Sequence, residues 1–186
     1  MKGIKHLSEP LTREHIDFRV AQVFGNDNGV WCSILAYKDA RVDMQRLDDA
    51  VGPLGWQVKY KRDTAGVLQC GIGVMSDLYS PPDNWVWKWS NGVPSNFEQA
   101  KGEYSDAFKR AGFMWSIGRQ LYDFPKIVVS LIKGDFYKKG DKYFAANKLR
   151  PNDWKWTISP DYKDVTAERK LGGKLANVFN SNPYKK

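Results

Sequence analysis

The chain has 186 residues, of which 42% are hydrophobic and 14% aromatic, and it carries a formal net charge of +8. That length supports one domain with a substantial core and at most a small appendage, and the composition excludes a disordered chain. No run of about 18 apolar residues occurs, which excludes an ordinary transmembrane helix.

The charge is unevenly placed. Residues 1–125 carry 15 basic and 15 acidic side chains, whereas residues 126–186 carry 14 basic and 6 acidic ones and so hold the whole surplus. A polyanionic partner such as nucleic acid fits this distribution, and so does a basic protein without one. MKGIKHLSEPLT at the start lacks the apolar stretch of a secretory signal, so a cytoplasmic protein is expected. In that setting Cys32 and Cys70, both in strand-like segments, are expected to be buried, reduced thiols.

In chain order, FRVAQVF predicts a strand within residues 14–24. GNDNG (25–29) joins it to VWCSILAY (30–37) as a hairpin. ARVDMQRLDDAVG predicts a helix with Met44, Leu47 and Val51 as its apolar stripe, ended by Gly52-Pro53. WQVKYKR (56–62), GVLQCGIGV (66–74) and WVWKW (85–89) alternate and predict a three-stranded antiparallel meander, with a turn at PPDN (81–84).

SNFE (95–98) fits a capping box for a long helix. Phe97, Tyr104, Phe108, Ala111 and Trp115 form its apolar stripe, Gly112 and Gly118 weaken its second half, and Pro125 bounds it. IVVSLIK (127–133) predicts a strand, and DVTAERKLGGKLANVF (164–179) a last, weak helix. The expected class is α+β: an antiparallel meander packed on a long helix, with an N-terminal hairpin and helix. The expected division is a core over 1–125 and a basic, aromatic-rich segment over 126–186 packed on it.

Several chemistries lack their residues. The only histidines are His6 and His15, and with two distant cysteines no zinc spacing appears. GIGVMS (71–76) ends in Ser76 with no helix opening there, so its glycines read as strand glycines. LGGKLA (171–176) has Glu168 where a phosphate loop needs its first Gly and Leu175 where it needs Ser or Thr. No cofactor and no nucleotide-driven action are expected. Asp39, Asp43, Asp48 and Asp49 form the nearest thing to a carboxylate cluster, and their spacing fits a solvated helix face paired with Arg41 and Arg46. Residues 133–156 interleave aromatic and basic side chains. This fits either a base-stacking platform or a basic hairpin with cross-strand aromatic pairs.

One stretch, GEYSDAFKRAGFMWSIGRQLYDFP (102–125), sets Lys109 and Arg110 side by side among aromatics. Phe108 and Ala111 face the sheet, which turns Lys109 and Arg110 to the flank and the outer side. Asp106 stands three and four residues before them, so intrahelical ion pairs are one reading. A groove for a phosphate backbone is the other.

The element order, together with YKDARVDMQRLDDAVGPLGW (37–56), GVLQCGIGV (66–74) and above all AKGEYSDAFKRAGFMWSIGRQLYDFP (100–125), resembles the single-strand annealing proteins of the Rad-fifty-two superfamily. It is most similar to their short bacteriophage, Sak-type members, over roughly residues 10–125. The resemblance implies a β-β-β-α core that assembles into a homo-oligomeric ring, with single-stranded DNA in a positive groove, bases outward.

By position the resemblance carries Lys109 and Arg110 to the groove floor, and adds Arg41 before the first core helix and Lys101 upstream of the pair. Arg119, further along the same segment, completes the candidate DNA-binding set. Gly112 stands where a Leu is common in the eukaryotic branch, and residues 126–186 match nothing in the family.

The implied function is ATP-independent binding and annealing of single strands in phage-type recombination or break repair, without enzymatic chemistry. The expected setting is the bacterial host cytoplasm, where a phage exonuclease or a single-strand-binding protein is the expected further partner. The alternatives are a plain single-stranded DNA-binding protein and a metal-dependent nuclease of the same pathway.

Overall fold

The structure, a computed structural model, describes residues 1–76, 84–92 and 99–182, without the side chains of 99–101. In chain order the elements are β1 (Asp17–Asn26), β2 (Gly29–Tyr37), α1 (Ala40–Val51), β3 (Trp56–Arg62), β4 (Leu68–Met75), β5 (Trp85–Asn91) and α2 (Gln99–Met114). They continue with β6 (Ile127–Ser130), β7 (Phe136–Lys139), β8 (Lys142–Ala145), β9 (Lys155–Ile158), β10 (Val165–Leu171) and β11 (Lys174–Asn180). The class is α+β with antiparallel pairing throughout. No helix among the described residues is long and apolar enough to cross a membrane.

The chain folds as two compact units, Met1–Leu11 with Lys38–Arg119, and Thr12–Tyr37 with Gln120–Lys186. The division expected at residue 125 is therefore replaced. The N-terminal hairpin β1–β2 leaves the meander and pairs through β2 with β6, setting Cys32 opposite Val129 and Ile34 opposite Ile127. Local patterning identifies a strand but does not name its distant partner.

The first unit is built on the sheet β3-β4-β5. Leu68, Cys70, Ile72 and Val74 on one face of β4 meet Leu47 and Ala50 of α1 and Ala107, Phe108 and Ala111 of α2 in one buried cluster. Residues of opposite parity form the other face. Across the three strands the register there reads Lys61-Gln69-Asn91, Lys59-Gly71-Trp89 and Gln57-Gly73-Trp87, with Met75-Trp85 at the end.

Helix α1 starts where Asp39 accepts a hydrogen bond from the Arg41 N–H at 2.8 Å, which satisfies an otherwise orphaned donor. Its buried residues are Asp43, Arg46, Leu47 and Ala50, whereas Met44 is exposed. The expected stripe is thus rotated by about one position, because two charged side chains are buried with partners. Arg46 donates to the carbonyls of His6 and Pro10, so the N-terminal segment rather than the helix's own aspartates holds it.

Helix α2 ends in a Schellman-type turn. Ile117 N–H donates to Gly112 O and Ser116 N–H to Phe113 O, with Ser116 in the left-handed region at φ 71°. Phe97 and the SNFE capping box lie outside the described residues, as does most of the PPDN turn.

The second unit contains the sheets β1-β2-β6 and β9-β10-β11 and the hairpin β7-β8. Ile16, Phe18, Cys32, Ile34, Ile127, Val129, Trp154, Trp156, Val165 and Ala167 are all buried. Phe18 stacks flat on Trp156, with ring centroids 3.7 Å apart. Both cysteines are free and buried.

The helix expected over 164–179 is the hairpin β10–β11. Gly172 and Gly173 take φ 56° and 80°, and left-handed geometry at both central residues is the two-residue turn that suits a right-twisted hairpin. Residues 136–145 form a basic hairpin with Tyr137 stacked on Phe144 across the strands, centroids 5.5 Å apart.

Candidate nucleic-acid interface

The first turn of α1 and the last turns of α2 are tied together from beneath by one buried lysine. Lys38 follows β2 and is 1% exposed. Its Nζ lies 2.5 Å from both carboxylate oxygens of Asp43 on α1 and 3.4 Å from the main-chain oxygen of Lys109 on α2. The ammonium also sits 4.4 Å from the centroid of the Phe113 ring.

Burial drives both partners toward neutrality, lowering Lys38 and raising Asp43 to about 6, while their mutual contact opposes the shift. Gly112 is part of the same arrangement: a Cβ there would overlap Asp43 Oδ1. The glycine thus permits the close approach of α1 to α2, where a larger side chain would exclude the carboxylate.

The candidate cations lie on these two helices and the turn after α2. Arg110 is exposed, and its Nε donates to Asp106 Oδ2 at 2.8 Å, so the intrahelical pair anticipated from the spacing is present for this residue. Lys109 is half-buried and makes no ion pair among the described residues. Arg41 is exposed on the first turn of α1; its N–H is used in the helix cap, and its guanidinium has no ion pair among the described residues. Lys101 lies on α2 two turns before Lys109, and its side chain is outside the description.

Arg119 has a different placement. Its guanidinium folds back onto the end of α2 and donates to Phe113 O at 2.9 Å, while Lys88 Nζ donates to Met114 O at 3.0 Å. Two cations at a helix C-terminus bond its last carbonyls and complement the helix dipole. The structure therefore places Lys109, whose main-chain oxygen faces Lys38, at the α1–α2 contact, leaves Arg41 and Arg110 exposed on those two helices, and gives Arg119 a capping role at the end of α2.

The four aspartates of 39–49 serve four separate purposes. Asp39 caps α1, Asp43 holds Lys38, Asp48 accepts from the Trp56 indole at 2.7 Å, and Asp49 pairs with Lys2 at 2.9 Å. The pairing of Lys38 with Asp43 escaped sequence reasoning, since an aspartate on the flank of a helix reads as solvated. The available signal was the pair of positions itself, a lysine immediately before the Asp39 cap and an aspartate on the next turn.

No family model matches the chain, nor does any curated protein or solved structure.

Proposed function

We propose that this protein binds single-stranded DNA and anneals complementary strands without ATP, as a ring-forming oligomer, in the manner of the bacteriophage annealing proteins that its sequence resembles. The observation that carries the reading is the α1–α2 junction. Lys109 and Arg41 stand without ion-pair partners among the described residues, on two helices locked together by the buried Lys38–Asp43 pair. Cations held on rigid helices neutralise phosphates without reading sequence, which is what annealing requires. Base pairing itself supplies the free energy.

Oligomerisation has a physical route in this proposal. β3 and β5 are the edges of their sheet and pair only with β4 among the described residues, so an edge of one subunit can pair with an edge of the next. The basic surplus of residues 126–186 adds sequence-independent attraction for the strand.

The deciding experiment is an annealing assay with two labelled complementary oligonucleotides, without ATP. Acceleration of pairing over the protein-free rate is the expected result. Tight binding of each strand without acceleration would reduce the protein to a plain single-strand binder. Magnesium-dependent loss of the strands would make it a nuclease.

A further inference from the structure

The face of the β3-β4-β5 sheet turned away from α2 carries a second arrangement that the α1–α2 junction does not use. On the central strand, Gly71 and Gly73 occupy successive positions of this face, opposite Trp89 and Trp87 of β5. A Cβ at Gly71 would lie 2.6 Å from the Trp89 ring, and one at Gly73 would lie 2.9 Å from the Trp87 ring. The two glycines leave a trough in the sheet, and the indoles lie down in it. Each ring therefore turns a π-face outward instead of an edge.

Among the described residues, lysine ends lie over these rings. Lys59 Nζ stands 4.4 Å from the Trp87 centroid and Lys61 Nζ 4.3 Å from that of Trp89. Both lysines are exposed and make no ion pair among the described residues. Every other side chain in the register of this face is an amide, a methionine or a further tryptophan, so the described face holds cations and rings but no carboxylate.

We infer that this face is a stacking platform for single-stranded nucleic acid, with Trp87 and Trp89 each taking one base and Lys59 and Lys61 the adjoining phosphates. An ammonium on a four-carbon stem gives way readily and keeps its charge within reach of the backbone. Base stacking on an aromatic ring needs no sequence reading and suits every base. The two rings are 5.8 Å apart with planes 27° from parallel, which suits successive bases stretched beyond their ~3.4 Å stacked spacing. Helix α2 covers the opposite face of the same sheet, so the platform and the Lys109 junction are separate surfaces, and the inference does not rest on annealing activity.

The test uses the full chain and a thirty-nucleotide oligothymidine carrying 5-iodouracil. Irradiation of the wild-type complex should place adducts on Trp87 or Trp89, read by mass spectrometry of the digested protein. Trp87→Ala with Trp89→Ala should weaken binding of the thymidine oligomer about tenfold or more, and should leave binding of an abasic backbone of equal length unchanged. Lys59→Gln with Lys61→Gln should reduce the slope of log affinity against log salt by about 1.4.

Adducts only on other residues would overturn the platform, and this result does not depend on any variant folding. A change in sedimentation of the tryptophan variant with unaltered oligomer binding would also overturn it and make the face a subunit contact. Lys109→Ala with Arg110→Ala separates the two surfaces: adducts kept on Trp87 or Trp89 while annealing is lost support both readings, and annealing lost with no tryptophan adduct in the wild type leaves only the junction.

Discussion

Lys38 and Asp43 form an ion pair from which water is excluded: the two side chains are 1% and 0% exposed, and the ammonium is 2.5 Å from each carboxylate oxygen. Such a pair contributes little net stability against an apolar replacement, yet removal of one member leaves a buried charge with nothing to balance it. Asp43→Ala is accordingly expected to destabilise the protein by about 3–5 kcal/mol. Lys38→Met combined with Asp43→Leu should recover most of that loss. Urea unfolding of the three proteins checks both statements. A double variant as unstable as Asp43→Ala would mean that the pair itself, rather than its completeness, supports the fold.

Lys109→Ala with Arg110→Ala should nearly abolish annealing while leaving fold and oligomer intact. Among the described residues the only ion pair at stake is the exposed one between Arg110 and Asp106, so each site should change stability by within about 0.5 kcal/mol. Binding should suffer far more, because every subunit of an oligomer presents the same cations to one strand. Arg41→Ala should act in the same direction. Arg119→Ala should instead lower thermal stability, since its guanidinium caps α2. Calorimetry beside the annealing assay distinguishes the two kinds of effect, and wild-type annealing by the Lys109/Arg110 variant would sink the junction as a DNA site.

Truncation after Pro125 should give insoluble protein. The cut removes β6, which pairs along the edge of β2 opposite Trp31–Ile34, and it removes Trp156, on which Phe18 stacks. Soluble expression of residues 1–125 with a cooperative unfolding transition would show that the hairpin finds other cover.

Acid should weaken the attachment of the N-terminal segment to α1. Hydrogen bonds from the Lys2 ammonium and the Gln45 amide hold the Asp49 carboxyl at about 2, below its ordinary 3.8. A carboxylate lowered in the folded state contributes stability that is present above about pH 4 and is lost as pH falls toward 2. Lys2→Met should raise the Asp49 pKa toward its ordinary value and narrow that window. Carbon-detected NMR titration of the Asp49 carboxyl reads the shift directly, and an identical titration in the variant would contradict the assignment.

The elements set by local chemistry were legible before the coordinates. Strict alternation marked β3, β4 and β5, and Gly52-Pro53 marked the end of α1, while the Asp39 cap at its start was missed. What was not legible depended on distant partners. β2 carries nothing that names β6, so the sequence groups the hairpin with residues 1–125 and leaves its pairing with β6 unread. In residues 164–179 the helix-forming run AERKL outweighed Gly172-Gly173, although two adjacent glycines between alternating segments are a hairpin signal. At the candidate site, Asp106 foretold the Arg110 pair, while the burial of Asp43 and the need for Gly112 arise only when α1 meets α2. The GIG of β4 was read as strand glycines, but the indoles that lie in their place became apparent only from the sheet register.

The chain crosses between its two units three times, so neither unit is one continuous stretch. On the ribosome this sets an order of events. The β1–β2 hairpin emerges early, but Ile127, the register partner of Ile34, is made only after the whole of α1 through α2. At about 5–20 residues per second that delay is on the order of 10 s. The first unit has its last residue, Arg119, before β6 exists, and can close while the edge of β2 still waits for its partner strand. A substitution that makes that open edge stickier would therefore do its damage during synthesis, by capture in aggregates or by chaperones, and would leave little trace in the stability of the finished protein.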